Sequence, residues 1–308
     1  MDPLSSVLSL LKPRSYMAGG LDLGAPWSLE FGRHEGVKFH AIVSGRCWVA
    51  VEGLGEPVLA SAGDCILLPS GRPFRMASDL SLPSVGALSV IPFPLNGAMA
   101  TINGGGDCLG LGGHFALSGD ADILLGLLPP VVHLSKESDR AAMRWSLNRM
   151  MEELREPRPG SALIAQHMVG MMLVQILRLY LEDQAGTVGW LSALADKQIA
   201  AAMGCIHGEP ARNWTLQLLA ERAGMSRSIF AMRFKEVVGM SPIDYLIRWR
   251  MRLAADRLTH SRDSISEIAA SVGYGSESSF GLAFKRVMGC SPRQYGRKGA
   301  GVEGAEAG

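Results

Sequence analysis

A stretch near the C-terminal end of the chain returns about fifty residues later, and this repeat constrains the fold more than any other feature. Phe230, Phe234, Lys235, Val237, Gly239, Ser241, Pro242 and Tyr245 recur as Phe280, Phe284, Lys285, Val287, Gly289, Ser291, Pro292 and Tyr295. Upstream of Phe230 the offset falls by one, so Ala220 and Gly224 match Ala269 and Gly273. Apolar positions at helical spacing, interrupted by glycine and closed by Ser-Pro, describe two copies of one small helical unit.

Each copy reads in the same way. Leu216, Leu218, Leu219 and Ala223 give the apolar stripe of a short helix, and Ile265, Ile268, Ala269 and Val272 give its twin. Gly224 and Gly273 break these helices, and Ser226 and Ser276 are placed to cap the helices that follow. In those, Ile229, Phe230, Phe234 and Val237 face the core of one copy, and Phe280, Phe284 and Val287 that of the other. Ser264 and Glu267 have capping-box spacing, and Ser241-Pro242 and Ser291-Pro292 each put proline at a first helical position. No Gly or Pro lies between Pro242 and Thr259, so a single helix of about 27 Å is predicted to hold the copies apart. A short helix, a glycine turn and a longer helix make a helix-turn-helix, whose second helix can enter a DNA major groove.

On these motifs, residues from Ala195 to Lys298 resemble the DNA-binding domain of the AraC/XylS family of transcription regulators. Charge agrees with that reading. The whole chain carries 30 Lys and Arg against 29 Asp and Glu, but Cys205–Lys298 carries 15 against 8. Arg227, Arg233, Lys235, Arg248, Arg250, Arg252, Lys285, Arg286, Arg293 and Arg297 are the cations available for phosphates. In the family register, Ser226, Arg227, Ser228, Ala231 and Met232 present the first recognition face, and Ser276, Glu277, Ser278, Gly281 and Leu282 the second. Family members commonly carry Arg at the positions of Met232 and Leu282, where it bonds guanine in bidentate fashion. Met and Leu cannot do so, which predicts a permissive base code with affinity drawn largely from phosphates and DNA shape.

The rest of the chain is bounded by simpler features. Its 308 residues suffice for two domains. The five cysteines form no close pair and no metal-ligand spacing, and the first residues lack a signal peptide's basic start and apolar core, so a cytoplasmic chain is predicted. Ala162–Leu181 approaches the length of a membrane span, but Gln166, His167, Gln175 and Arg178 interrupt it, which points to a buried helix. With the amphipathic helix predicted over Asp139–Leu154, it forms a helical layer suited either to a dimer interface or to a monomer core.

Between Gly19 and Val132 the grain changes. Lys38–Val51 reads as strand, turn and strand about Gly45, and Cys65–Leu68 as another strand, followed by a Ser70–Phe74 turn. Many short strands with Gly and Pro turns imply a barrel or jelly roll. The run from Phe39-His40 through Gly63-Asp64 to Leu68-Pro69-Ser70-Gly71 is similar to the cupin-type sensor domain of one AraC-family branch, as are Leu127-Leu128-Pro129-Pro130 and Gly189-Trp190-Leu191. Cupin metal sites gather several His and a carboxylate. Here Ala41 and Ile42 follow His40, and Phe74 stands where a late His is expected, so neither metal, cofactor nor enzyme activity is predicted. His40, Trp48 and Phe74 are the candidates to line an effector cavity, a completely filled barrel acting as a dimerisation platform being the alternative.

The sequence therefore predicts an α+β multidomain chain. A cupin-like β-barrel occupies residues 1–132, a helical layer 133–194, an all-α double helix-turn-helix 195–298, and a disordered tail 299–308. The resemblance implies a regulator of transcription that binds double-stranded DNA as a homodimer, activates through RNA polymerase and responds to a small effector, with no membrane partner. A metal-dependent cupin enzyme fused to a DNA-binding domain and a non-specific architectural DNA binder are the rival readings.

Overall fold

The computed structural model describes residues 2–11, 14–92, 95, 97–116, 128–183, 193–194 and 196–303; Leu127 and Gly189-Trp190-Leu191 lie outside them. The described residues divide into two compact units, one formed by 14–183 and the other by 2–11 with 193–303.

In the first unit, β1 (Arg14–Leu23), β2 (Ser28–Phe31), β3 (Val37–Ser44), β4 (Arg46–Val51), β5 (Val58–Ser61), β6 (Cys65–Leu68), β7 (Phe74–Ala77), β8 (Val85–Gly86), β9 (Met99–Ile102), β10 (Cys108–Ala116) and β11 (Val132–Leu134) form two sheets. Their orders are β11-β6-β3-β10-β1-β9 and β5-β4-β7-β2-β8. The strand, turn, strand reading of Lys38–Val51 gives the right elements, but β3 and β4 belong to different sheets. At Gly45, with φ 77°, the chain turns a corner so close to β10 that a Cβ would stand 2.0 Å from the Asp107 carbonyl oxygen. The described strands thus form two sheets, the two-layered arrangement that the jelly-roll reading implies.

Its core draws on both inner faces, with Phe31, Val49 and Met76 from one sheet and Ile42 and Ile66 from the other. The six-stranded sheet is buried on its outer face as well, where Phe39 and Ala41 alternate with His40 and Ile42. After the short α2 (Ala87–Val90), the helices α3 (Glu137–Arg155) and α4 (Ser161–Asp183) complete the unit. α4 packs against β1, and approaches β10 so closely that a Cβ on Gly113 would meet Val169 Cγ1 at 2.4 Å. By length and composition α4 could cross a membrane, yet Ala165, Val169, Met172, Leu173 and Ile176 are buried within the unit. Asp64, itself buried, accepts from Arg140 Nε at 2.9 Å and lies 3.1 Å from His133 Nε2, tying α3 and β11 to the turn before β6. The helices predicted as a separate layer thus belong with the sheets, because each supplies the apolar face that the other must cover.

The second unit is helical. α1 (Pro3–Leu11), assigned from sequence to the sensor region, packs against α5 (Lys197–Gly208). There follow α6 (Leu216–Arg222), α7 (Arg227–Val238), α8 (Pro242–His260), α9 (Ile265–Ser271), α10 (Glu277–Met288) and α11 (Pro292–Glu303). The cap residues read from sequence occupy their positions. Ser226, Ser241, Ser264 and Ser276 each accept from a backbone amide three residues on, and Ser264 with Glu267 forms the reciprocal capping box. α11 runs to Glu303, five residues into the stretch predicted to be disordered from Gly299. Once Ser291 and Pro292 have started that helix, each added residue contributes a hydrogen bond and no proline stops it.

Candidate nucleic-acid interface

The repeat in sequence is a repeat in packing. Phe230 and Phe234 lie 5.5 Å apart and Phe234 meets Tyr245 at 5.7 Å; Phe280 and Phe284 lie 5.6 Å apart and Phe284 meets Tyr295 at 5.6 Å. All four phenylalanines are fully buried, so the same aromatic trio fixes which side of α7 and of α10 turns inward. Gly224 and Gly273, at φ 65° and 83°, supply the left-handed turns before these helices. α8 spans 19 residues, about 28 Å, between the two copies.

With the phenylalanines inside, Arg227, Ser228, Met232 and Lys235 are exposed on α7, and Ala231 is half-buried. On α10, Glu277, Ser278, Leu282, Lys285 and Arg286 are exposed and Gly281 is half-buried. Ser226 and Ser276 are exposed too, but their hydroxyls accept the capping amides of Ile229 and Ser279. The first helical position differs in sign between copies, Arg227 in one and Glu277 in the other.

Two cations counted as free for phosphates are engaged within the protein. Arg233 pairs with Asp196 at 2.7 Å, and the same carboxylate caps α5. Arg250 is buried on α8, donating from Nε to the Pro210 carbonyl at 2.7 Å and from an Nη to the Arg212 carbonyl at 2.8 Å, with its guanidinium 5.8 Å from the Tyr274 ring. It therefore joins the loop before the first helix-turn-helix to the turn of the second. A Cβ on Gly273 would crowd this brace, standing 2.9 Å from the Arg250 Nη. The only trace of it in the sequence is a charge amid apolar positions, with Leu246, Trp249, Met251 and Ala254 buried around it.

In the other unit a cavity of about 420 Å³ opens between the sheets, walled by Leu21, Phe31, Ile42 and Met76, with Glu30, Arg33, Lys38, His40 and His114 as polar groups. His40 Nε2 is buried without a hydrogen-bond partner. Burial above all, with nearby Lys38 and His34, lowers the His40 pKa to about 3, so the ring is neutral. Burial likewise lowers Lys38 to about 8, and its ammonium sits 5.1 Å and 5.2 Å from the Phe31 and Phe74 ring centres. Of the three predicted lining residues only His40 reaches the cavity. Phe74 stacks behind Phe31 at 4.5 Å, and Trp48 points away because Cys47, Val49 and Val51 take the inward face of β4. Among the described residues, no three His, Cys, Asp or Glu side chains gather to hold a metal ion.

Comparison with known proteins covers both units. Residues 2–182 match a cupin family, and residues 219–298 match a helix-turn-helix domain family. The chain is 42% identical over 298 residues to an AraC-like transcription regulator of Streptomyces lividans, spanning 96% of this chain and 98% of that one. A Streptomyces antibioticus regulator of the same description is 42% identical over 299 residues, with the same shares covered. The RCS-specific HTH-type transcriptional activator RclR of Escherichia coli strain K12 is 26% identical over 300 residues, or 96% of this chain and 97% of that one. A likeness of this depth, running from the sandwich through both copies of the helical repeat, makes the chain a member of the AraC-like transcription regulators, which bind double-stranded DNA.

Proposed function

We propose that this regulator works in the cytoplasm as a homodimer and activates transcription when a small effector occupies the cavity between its sheets. The observation that carries the effector reading is the cavity itself, with an unpartnered His40 Nε2 in its largely apolar wall, which Glu30, Arg33, Lys38 and His114 also line. A buried polar atom without a partner is costly, and a bound molecule offering a hydrogen bond relieves that cost. An effector favouring one state of the sensor shifts the population competent to bind DNA, by no more than its difference in affinity between states.

The exposed Trp145, Leu163, Ile164 and Met171 on α3 and α4 support these helices as the dimer interface. Ile164 and Met171 are seven apart, hence on one face of α4, and a second copy would cover them. Arg227, Ser228, Ala231, Met232 and Lys235 on α7, with Glu277, Ser278, Gly281, Leu282, Lys285 and Arg286 on α10, form the DNA-facing surface. Activation by contact with RNA polymerase rests on family membership, and RclR is itself described as an activator.

Genome-wide mapping of bound DNA, with and without candidate inducers, tests the reading. Gly112 lines the cavity, and a Cβ there meets only ordinary contacts, the nearest 3.6 Å away at His40 Nδ1. Gly112→Leu should therefore fill the cavity and abolish the inducer-dependent change in occupancy while leaving basal binding in place. An undiminished response in that variant would remove the cavity from the mechanism.

A further inference from the structure

Among the described residues, the C-terminal unit's exposed large hydrophobic side chains are Ile229 at 53%, Met232 at 67% and Leu282 at 76% exposure, and all three lie on α7 or α10. At 3.6 residues per turn, Met232 sits about 180° from the mid-direction of Phe230 and Phe234, and Leu282 holds the same phase against Phe280 and Phe284. Each is the crown of its helix. One turn before each crown stands a serine, Ser228 or Ser278, and one turn after it an exposed lysine, Lys235 or Lys285. The arrangement is cationic enough to approach a polyanion, yet the side chain at the centre of the outward face in both copies has no hydrogen-bond donor.

We propose that Met232 and Leu282 read thymine, each by packing against a C5 methyl group in the major groove. The proposal rests on α7 and α10 facing DNA. Thymine alone among the four bases presents a methyl group there, whereas guanine and adenine present N7 with O6 or N6, and cytosine its N4 amino group beside a bare C5–H. Pressing Met or Leu against such an edge strips water from a polar group and returns no bond, so the crowns select for thymine and against the others. Two crowns separated by α8 give two thymine positions in one site. The permissive code predicted from the missing arginines becomes a code without hydrogen bonds at these positions.

The test uses the full-length protein and a random duplex DNA library. From the enriched sequence, duplexes are made with single thymines replaced by deoxyuridine, which removes only the methyl group, and Kd is measured by fluorescence anisotropy. One position in each half of the site should lose about fourfold in affinity, the equivalent of one buried methyl. Met232→Ala should abolish the thymine–uracil difference at one of these positions and Leu282→Ala at the other; both side chains are exposed, so folding is spared. Uracil equivalent to thymine throughout, penalties that persist in both alanine variants, or a library without an enriched sequence would overturn the proposal. Failure of the DNA-facing surface itself has a distinct signature, since Lys235→Ala and Lys285→Ala would then leave affinity and its salt dependence unchanged.

Discussion

The two helix-turn-helix copies share an interior and differ outside. Phe230, Phe234 and Tyr245 in the first are matched by Phe280, Phe284 and Tyr295 in the second, with ring separations agreeing to within 0.1 Å. On the exposed side Arg227 corresponds to Glu277 and Ile229 to Ser279, and Arg233 is tied to Asp196. Glu277 suits the positive end of a helix dipole and Arg227 opposes it. The first copy thus gives up some helix stability for an exposed cation, and the second keeps the stability and presents an acid. The two copies agree in what holds each unit together and differ on their exposed faces.

Core truncation is the strongest way to break this comparison. Phe234→Ala and Phe284→Ala should each cost about 3–5 kcal/mol in urea denaturation, because each removes a fully buried ring and leaves a cavity. A large inequality between them would show that the copies are not energetically alike. Next in size is the brace between them. Arg250→Ala should lower stability by about 1.5–3 kcal/mol, in line with hydrogen bonds from a charged donor, and Arg250→Lys should recover only part of it, since one ammonium cannot reproduce the guanidinium fork.

Acid should separate the copies as well. His207, stacked on Trp249 at 3.8 Å and 2.6 Å from the Tyr245 hydroxyl, adjoins the first copy's aromatic trio. Burial lowers its pKa from 6.5 to about 3. The unfolded chain takes up a proton below pH 6.5 that the folded state refuses down to about pH 3, so this contribution is complete above 6.5 and lost as pH falls. Between pH 7 and 5 the loss is on the order of 2 kcal/mol. Thermal melts should show it for wild type and a flatter profile for His207→Gln.

Smaller effects sharpen the surface contrast. Arg227→Ala should weaken all sequences several-fold and reduce the salt slope by about one ion, whereas Glu277→Gln should tighten binding generally; titrations at several salt concentrations resolve the two. Least of all, Thr215→Ala and Ser264→Ala should each cost about 1 kcal/mol, with the greater loss at Ser264 because Glu267 also loses a partner there. Equal losses, read from chemical denaturation, would mean that the bond from the Ser264 hydroxyl to Glu267 contributes nothing measurable.

Legibility followed sequence distance. The caps at Ser226, Ser264 and Ser276 and the inward phase of the phenylalanines involve partners three to eleven residues apart, and all were readable. Arg250 was misread as a phosphate contact because its acceptors lie 40 and 38 residues away. Trp48 was misread because strand alternation fixes two faces without saying which is inside.

By itself the sequence determined that this chain carries two equivalent helical units on a long spacer, since repeat, period and caps act within a few residues and need no knowledge of the rest. Only the tertiary structure decided that β3 and β4 part into separate sheets, that α4 covers β10 where Gly113 admits it, and that His40 borders a cavity. Each of these depends on which distant apolar surfaces meet, and burial is a property of the assembled interior that no local pattern encodes.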